Sequence, residues 1–276
     1  MMCAWDALLE ILPQRMRYEV DRYGSETLQQ LYFRLGARPE LVLNGKSVWL
    51  DTVSTKEDIA FCIQSATRYS PWKAESIKEG YITAPGGHRV GLCGLTLYRN
   101  GHAAGLREVT SLCIRVARDY PGIAEQIPSH GSVLILGAPG WGKTTLLRDL
   151  IRQRGEREMV SVADERGELF PDGFGTGLRV NILRGCKKGA AMEQLLRTMG
   201  PSCLALDEIT AEEDCLGLLR ASGCGVTLLA TAHAGSYEEY LSRPVYKPLT
   251  ESMLFQWIVV LHPDKTYSVK AGECVR

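Results

Sequence analysis

The sequence has no run of apolar residues approaching the roughly 18–20 that a membrane-crossing helix needs, so no span is expected in it. It has no excess of either charge. Lys+Arg and Asp+Glu both number 32 and the formal net charge is zero, which gives no support to a whole-protein nucleic-acid surface, although a local basic patch stays compatible with it. Nine cysteines are present, an odd number, and none forms a CxxC pair. Most sit inside apolar runs, which predicts buried free thiols in a reducing compartment and argues against a zinc site. The N-terminal stretch MMCAWDALLEILPQRMR has neither an early basic region nor a small-residue cleavage site, so a secretory signal peptide is not expected. Its amphipathic pattern predicts a helix lying against its own domain or a partner. Long internal repeats and low-complexity tracts are also missing.

What is present is an ordinary globular composition. The chain has 276 residues, 45% apolar and 23% charged, enough for one large or two medium domains. The first half reads as mixed α and β. SETLQQLYFRLG suggests a short helix ending at Gly36. ELVLNGKSVWL is a hairpin signal, with Asn44 and Gly45 supplying the positive φ of a tight turn. STKEDIAFCIQSATRYS opens with a capping box, Ser54 and Glu57, and places Ile59, Cys62, Ile63 and Ala66 on one helical face. GYITAPGGHRVGLCGLTLYRNG is strand-like, with turn signals at Gly86-Gly87 and Asn100-Gly101, and SLCIRVAR reads as another strand. Pro121, Gly122, Pro128 and Gly131 then punctuate a junction, which divides the chain into a smaller N-terminal α+β domain, 1–122, and a second domain, 123–276.

The second domain alternates strand and helix: strands at 132–136, 159–163, 203–207 and 225–231, helices at 143–153, 188–199, 211–222 and 236–243, and closing strands near 256–261 and 266–270. Its early strands are almost wholly apolar, as strands buried on both faces are. The alternation predicts an α/β fold with a mostly parallel sheet flanked by helices.

Gly137, Ala138, Pro139, Gly140, Trp141, Gly142, Lys143 and Thr144 fit G-x-x-x-x-G-K-[ST], with Thr145 next in line. The glycines let backbone N–H groups converge on phosphate oxygens. Lys143 can reach the β and γ phosphates, the Thr144 hydroxyl can ligate Mg²⁺, and the helix opening at Lys143 adds its positive end. The loop follows SVLIL and precedes TTLLRDLIRQ, the strand–loop–helix setting that this chemistry requires; ATP and Mg²⁺ are the expected ligands.

PSCLALDEIT ends an apolar strand in Asp207 and Glu208. An acid at that place can hold Mg²⁺ and a following Glu can orient or deprotonate water; a helix N-cap is the plainer use of Asp207. MVSVADERGEL puts Asp164, Glu165 and Arg166 at another strand end, where parallel sheets bind ligands. Glu165 is a second candidate for water activation and equally fits a solvated loop charge paired with Arg166. VTLLATAHAG ends a strand at Thr231 and His233, positioned either to sense a phosphate or as a structural histidine.

Taken together, EGYITAPGGHRVGLCG and SLCIRVAR in the first half, with GAPGWGKTT, VADERGEL, LLRTMGPSCLALDEIT and TLLATAHA in the second, make the chain resemble the stage III sporulation protein AA family, itself similar to the type II and type IV secretion ATPases. The resemblance covers nearly the whole chain and implies a RecA-like P-loop core for the second domain. It implies four blocks: a Walker A loop with Lys143 and Thr144, an aspartate box with Asp164 and Glu165, a Walker B strand with Asp207 and Glu208, and a histidine box with His233. It also implies arginines on the phosphates, with Arg115, Arg118 and Arg197 as candidates; a solvent-facing strand-edge charge is the alternative for Arg115 and Arg118. LDEIT departs from the Gly-Glu and Arg-Asp pattern of the secretion relatives, which leaves the base open between Glu165 and Glu208. Trp141 is unusual in such a loop, and FPDGFGTGLRV is glycine-heavy without an assigned role.

The function that the resemblance implies is a mother-cell cytoplasmic ATPase that turns ATP hydrolysis into domain motion. It would work as a homo-oligomer, a hexameric ring, docked on an integral membrane component of a sporulation channel complex, with no nucleic acid and no membrane span of its own. Two alternatives stand beside it: a nucleic-acid-binding ATPase, which neutral charge and the lack of Lys/Arg runs disfavour, and a nucleotide-binding structural ring with little turnover, which the intact Lys143, Asp207 and Glu208 disfavour.

Overall fold

The computed structural model describes residues 3–68, 80–99, 102–171 and 174–272. The chain separates into two compact units. The first runs to Asp119 and takes in Pro171 and Phe174; the second holds Tyr120–Phe170 and everything from Gly175 on.

The first unit is built on a six-stranded antiparallel sheet. Its strands are β1 (Leu28–Arg34), β2 (Glu40–Leu43), β3 (Lys46–Trp49), β4 (Tyr81–Thr83), β5 (Arg89–Arg99) and β6 (His102–Arg115), ordered β3-β2-β1-β6-β5-β4. Helices α1 (Trp5–Ile11), α2 (Gln14–Asp21) and α4 (Lys56–Thr67), with a single turn α3 (Gly24–Thr27), complete it. The amphipathic N-terminus thus packs on its own unit: Leu8, Ile11, Leu12 and Met16 share a core with Leu31, Phe33, Val90 and Ile114.

Three expectations are corrected here. The helix read into SETLQQLYFRLG is only the turn α3 followed by strand β1. Its helical look comes from Leu28 and Leu31, three apart and both buried. A register shift between Leu28 and Gln30 in the pairing with β2 produces that spacing, since a bulge adds one residue to the period of two. The capping box of α4 sits one residue later than read, on Thr55 and Asp58: the Thr55 hydroxyl accepts from the Asp58 N–H at 3.3 Å and Asp58 Oδ2 accepts from the Thr55 N–H at 2.8 Å. Of the eight described cysteines, only Cys62, Cys203 and Cys215 are buried, and Cys93 and Cys224 are exposed. Asn44 and Gly45 do adopt positive φ, 47° and 80°, in the β2–β3 turn. The Asn100-Gly101 turn, Cys274 and part of the glycine-heavy loop, Asp172 and Gly173, lie outside the described residues.

The PGGH segment has a packing role. His88 is buried; its Nδ1 accepts from the Ala117 N–H at 3.1 Å, which leaves Nε2–H to donate to the Ala4 carbonyl at 3.0 Å. One imidazole therefore ties the N-terminal segment to the chain leaving β6. Gly86 has φ 75°, and a Cβ there would lie 2.5 Å from Ala4 Cβ and 2.9 Å from His88 Nε2, so only glycine fits.

The second unit carries a seven-stranded sheet of β7 (Val133–Leu136), β8 (Val160–Asp164), β9 (Val180–Arg184), β10 (Cys203–Ile209), β11 (Thr227–Ala232), β12 (Trp257–Leu261) and β13 (Tyr267–Ala271), in the order β13-β12-β7-β11-β10-β8-β9. All pairings are parallel except the β12–β13 hairpin. Strand β9 lies between the 159–163 strand and the 188–199 helix, where the sequence reading has no strand. It forms because Val180 and Ile182 pack on one face of the sheet and Leu183 on the other.

The period of two sorts each central strand between two cores. Val133 and Ile135 face one side, with Leu146, Leu147, Leu150 and Ile151 of α5 (Lys143–Gly155). Leu134 and Leu136 face the other, with Ala191, Met192 and Leu195 of α6 (Lys188–Met199) and Cys215, Leu218 and Ala221 of α7 (Glu212–Gly223). Short helices α8 (Tyr237–Ser242) and α9 (Lys247–Ser252) close that second side. Among the described residues no helix is long and apolar enough to cross a membrane.

Burial holds the His88 pKa below its ordinary value. The unfolded chain takes up a proton below about pH 6.5, while the folded imidazole stays neutral until a lower pH. Stability should therefore fall as the pH drops through that window, by at most about 1.4 kcal/mol per pH unit for this one proton. Urea unfolding at pH 7.5 and 5.5 checks it: His88→Gln should start less stable than the wild type and lose less over that interval.

Candidate functional site

The loop from β7 to α5 turns at Gly140 and Gly142, with φ 76° and 106°, a conformation open to glycine at no steric cost. Gly142 caps α5, so the first helical residue is Lys143. Lys143 is buried, and its Nζ donates to the Ala138 carbonyl at 3.1 Å and to His233 Nδ1 at 3.2 Å. Burial pulls its pKa down, and the Glu208 and Asp207 carboxylates oppose that.

Three neighbouring strands deliver their C-terminal ends to this loop. Asp207 on β10 is gripped by two hydroxyls: Thr144 Oγ1 donates to Oδ2 and Thr231 Oγ1, from β11, donates to Oδ1, both at 2.8 Å. Thr231 Oγ1 also accepts from the Glu208 N–H at 2.8 Å. Asp207 lies within the strand, and α7 takes its N-terminal capping from Asp214 instead, which accepts from the Ala211 N–H at 3.2 Å. The hard oxygen donors of Thr144 and Asp207 suit Mg²⁺, which keeps several waters and takes one or two protein oxygens beside substrate phosphates.

At Glu208 strand β10 changes character. Its register against β11 shifts between Leu206 and Ile209, and Glu208 has φ 60°, a left-handed conformation that costs a non-glycine residue roughly 1–3 kcal/mol. Lys188, buried at the start of α6, donates to the Glu208 carbonyl and, at 3.2 Å, to Thr210 Oγ1, and so secures the strained turn. Glu208 Oε2 accepts from Arg166 at 3.1 Å and Oε1 pairs with His233 Nε2. Burial works against the charged carboxyl, but His233, Arg166 and Lys188 together hold its pKa below the usual carboxylate range.

His233 therefore links Lys143 to Glu208. A lysine ammonium only donates, so Nδ1 accepts from Lys143 and Nε2–H is left to donate to Glu208. The His233 N–H donates to Tyr246 Oη at 3.1 Å, and Tyr246 is buried and stacked on Tyr240 at 5.1 Å, which anchors this end of the strand.

The remaining sequence candidates take different places. Asp164, at the end of β8, is buried; its oxygens accept from the Glu168 and Leu169 N–H groups at 3.0 and 3.2 Å. It shapes the following turn, and burial raises its pKa against those bonds. Glu165 is exposed at the rim of a cleft it shares with Asp164, Arg166, Lys188, Asp207 and Glu208. Arg166 pairs with Glu208 and not with Glu165, the partner that the solvated-charge alternative gives it. Arg115 is exposed at the end of β6. Arg118 spends its guanidinium on the Ser25 and Leu28 carbonyls at 3.0 and 2.6 Å. Arg197 is exposed in the last turn of α6, 3.5 Å from Glu193. Sequence reading missed Lys188. Its signal was a lysine in the first turn of an apolar-faced helix, where the dipole disfavours a cation.

The family model for sporulation stage III, protein AA, matches residues 5–272. Stage III sporulation protein AA of Bacillus subtilis (strain 168) is 34% identical over 269 residues, covering 90% of this chain and 88% of that protein. Protein SEEDLING PLASTID DEVELOPMENT 1 of Arabidopsis thaliana is 27% identical over 253 residues, 87% of this chain and 35% of the plant protein. Among solved structures, the pilus retraction motor PilT with bound ADP matches with a TM-score of 0.65 at 14% identity, over 100% of this chain and 84% of that one. The Legionella pneumophila ATPase DotB matches with a TM-score of 0.57 at 16% identity, over 94% and 79%. These likenesses speak to the fold, which is α/β and RecA-like in the unit that carries the phosphate loop. The match of the family model, in contrast, runs from Trp5 to Gly272 through both units and all four site segments, and the chain belongs to the sporulation stage III protein AA family.

Proposed function

We propose that the protein is a Mg²⁺-dependent ATP hydrolase of the secretion-ATPase kind. The observation that carries this reading is the Asp207 carboxylate held at 2.8 Å by both the phosphate-loop Thr144 and the β11 Thr231, which sets one acid beside the phosphate loop with its oxygens already aimed. Lys143 and the loop N–H groups would bind the phosphates, and Thr144 and Asp207 would hold the Mg²⁺. When bound, the ion neutralises charge on the β and γ phosphates. Glu208 accepts the proton of the attacking water through a carboxylate kept ionised by Arg166, Lys188 and His233. His233 orients it with Nε2–H.

Glu165 is the alternative base. Arg115 and Arg197, whose guanidinium groups are exposed, are the better arginine candidates, because Arg118 is already engaged by backbone carbonyls. The family supports a wider reading: a homo-hexameric ring at the cytoplasmic side of a sporulation channel complex, docked on an integral membrane component and moved by ATP turnover.

Steady-state ATP hydrolysis with Mg²⁺, read together with ATP binding and mass in solution, tests this. Lys143→Ala should abolish binding or hydrolysis. Glu208→Gln should bind ATP and hydrolyse it roughly 10²–10⁴-fold more slowly, the usual worth of a general base, while Glu165→Gln stays near wild type; the reverse pattern transfers the base to Glu165. Lys188→Ala should lower the turnover number with ATP affinity little changed, since it supports the Glu208 backbone and not the phosphate loop.

A further inference from the structure

On the opposite side of the phosphate loop from Glu208 lies a second cavity, of about 380 Å³, lined by Tyr120, Ile123, Trp141, Leu261, Lys265 and Tyr267. It is continuous with the loop itself at Gly140 and Gly142, and with the first turn of α5 at Thr145. Strand order sets the polarity of anything bound along the loop. β7 has β11, β10 and β8 on one flank and β12 and β13 on the other. The acids and His233 stand at the ends of β8, β10 and β11, so a chain of phosphates that places its reacting end there must run its other end toward the β12–β13 hairpin, where the cavity is.

The walls are preset. Asp149 on α5 accepts from the Gly122 and Ala124 N–H groups at 3.1 and 2.9 Å, which fixes the segment carrying Tyr120 and Ile123 against the phosphate-loop helix. The two polar side chains that the hairpin contributes to the lining are both engaged: Tyr267 Oη donates to the Ile123 carbonyl at 2.8 Å, and Lys265 Nζ donates to the Gly140 carbonyl. With those polar ends bonded, the lining that Tyr267 and Lys265 share with Trp141 and Leu261 is mostly apolar.

We propose that this cavity is the base subsite of the nucleotide site and that it reads the base by its face and not by its hydrogen-bonding edge, so that guanine is accepted nearly as well as adenine. The proposal rests on the nucleotide reading above. A site that hydrogen-bonds its ligand's edge rejects an analogue by roughly 10⁴–10⁵-fold, whereas stacking on aromatic side chains tolerates any base because every base has a π face. Trp141, unusual in a phosphate loop, borders the cavity from the loop, and the tip of its ring lies 4.0 Å from where a Cβ on Gly235 would stand.

Calorimetric titration of the full chain with the Mg²⁺ complexes of ATP, GTP and inorganic tripolyphosphate tests this. The wild type should bind ATP and GTP within about tenfold of each other. Tyr267→Ala should weaken both nucleotides by roughly 10-fold to 100-fold and leave tripolyphosphate unchanged, while Tyr267→Phe, which keeps the ring, should bind all three as the wild type does. Tyr120→Ala serves as the second variant if Tyr267→Ala unfolds, with the same expectation. A preference for ATP over GTP beyond about 100-fold, or an equal loss of tripolyphosphate in the alanine variants, overturns the proposal. Failure of all three ligands to bind the wild type overturns the nucleotide reading itself, and this proposal with it.

Discussion

The constraint on which the rest of the second unit depends is burial of both faces of its central strands. Val133 to Leu136 are all fully buried, as are Cys203 to Leu206 on β10. Strands so placed carry few polar side chains except at their ends. Lys143, Asp207, Glu208 and His233 come from three separate stretches of sequence, and they meet because the parallel ladder brings the ends of β7, β10 and β11 to one edge. The chemistry is concentrated there as a consequence of packing.

Within that edge the structure stores strain and offsets it locally. Glu208 sits at a positive φ, and the groups that hold it come from three other elements: Thr231 on its N–H, Lys188 on its carbonyl, and Arg166 and His233 on its carboxylate. A residue so heavily constrained presents its carboxylate in one direction. Glu165, by contrast, follows β8 on an exposed turn. The two are the same residue type, and that difference in constraint is what supports the proposal of Glu208 as the base.

The first unit shows another use of a buried polar group. His88 receives one hydrogen bond and gives another, which satisfies both ring nitrogens without a charge. The glycine turn before it exists to let Ala4 approach. A turn that carries part of the family resemblance thus has a packing role.

By itself, the sequence determined the phosphate loop, the apolar strands that end in Asp207 and His233, and the alternation that makes the second unit α/β, because those signals are local: a fixed spacing, a run of one residue class, a change of period. It misplaced β1 and missed β9, because a bulge and an edge pairing are decided by partners distant in the chain. Tertiary structure alone decided that Arg166 and Lys188 serve Glu208, that His233 links Lys143 to that carboxylate, and that Tyr120, Trp141 and Tyr267 border one cavity. Each of those relations joins residues 20 or more positions apart, and only the folded sheet, with its strands in the order the core requires, brings them within reach.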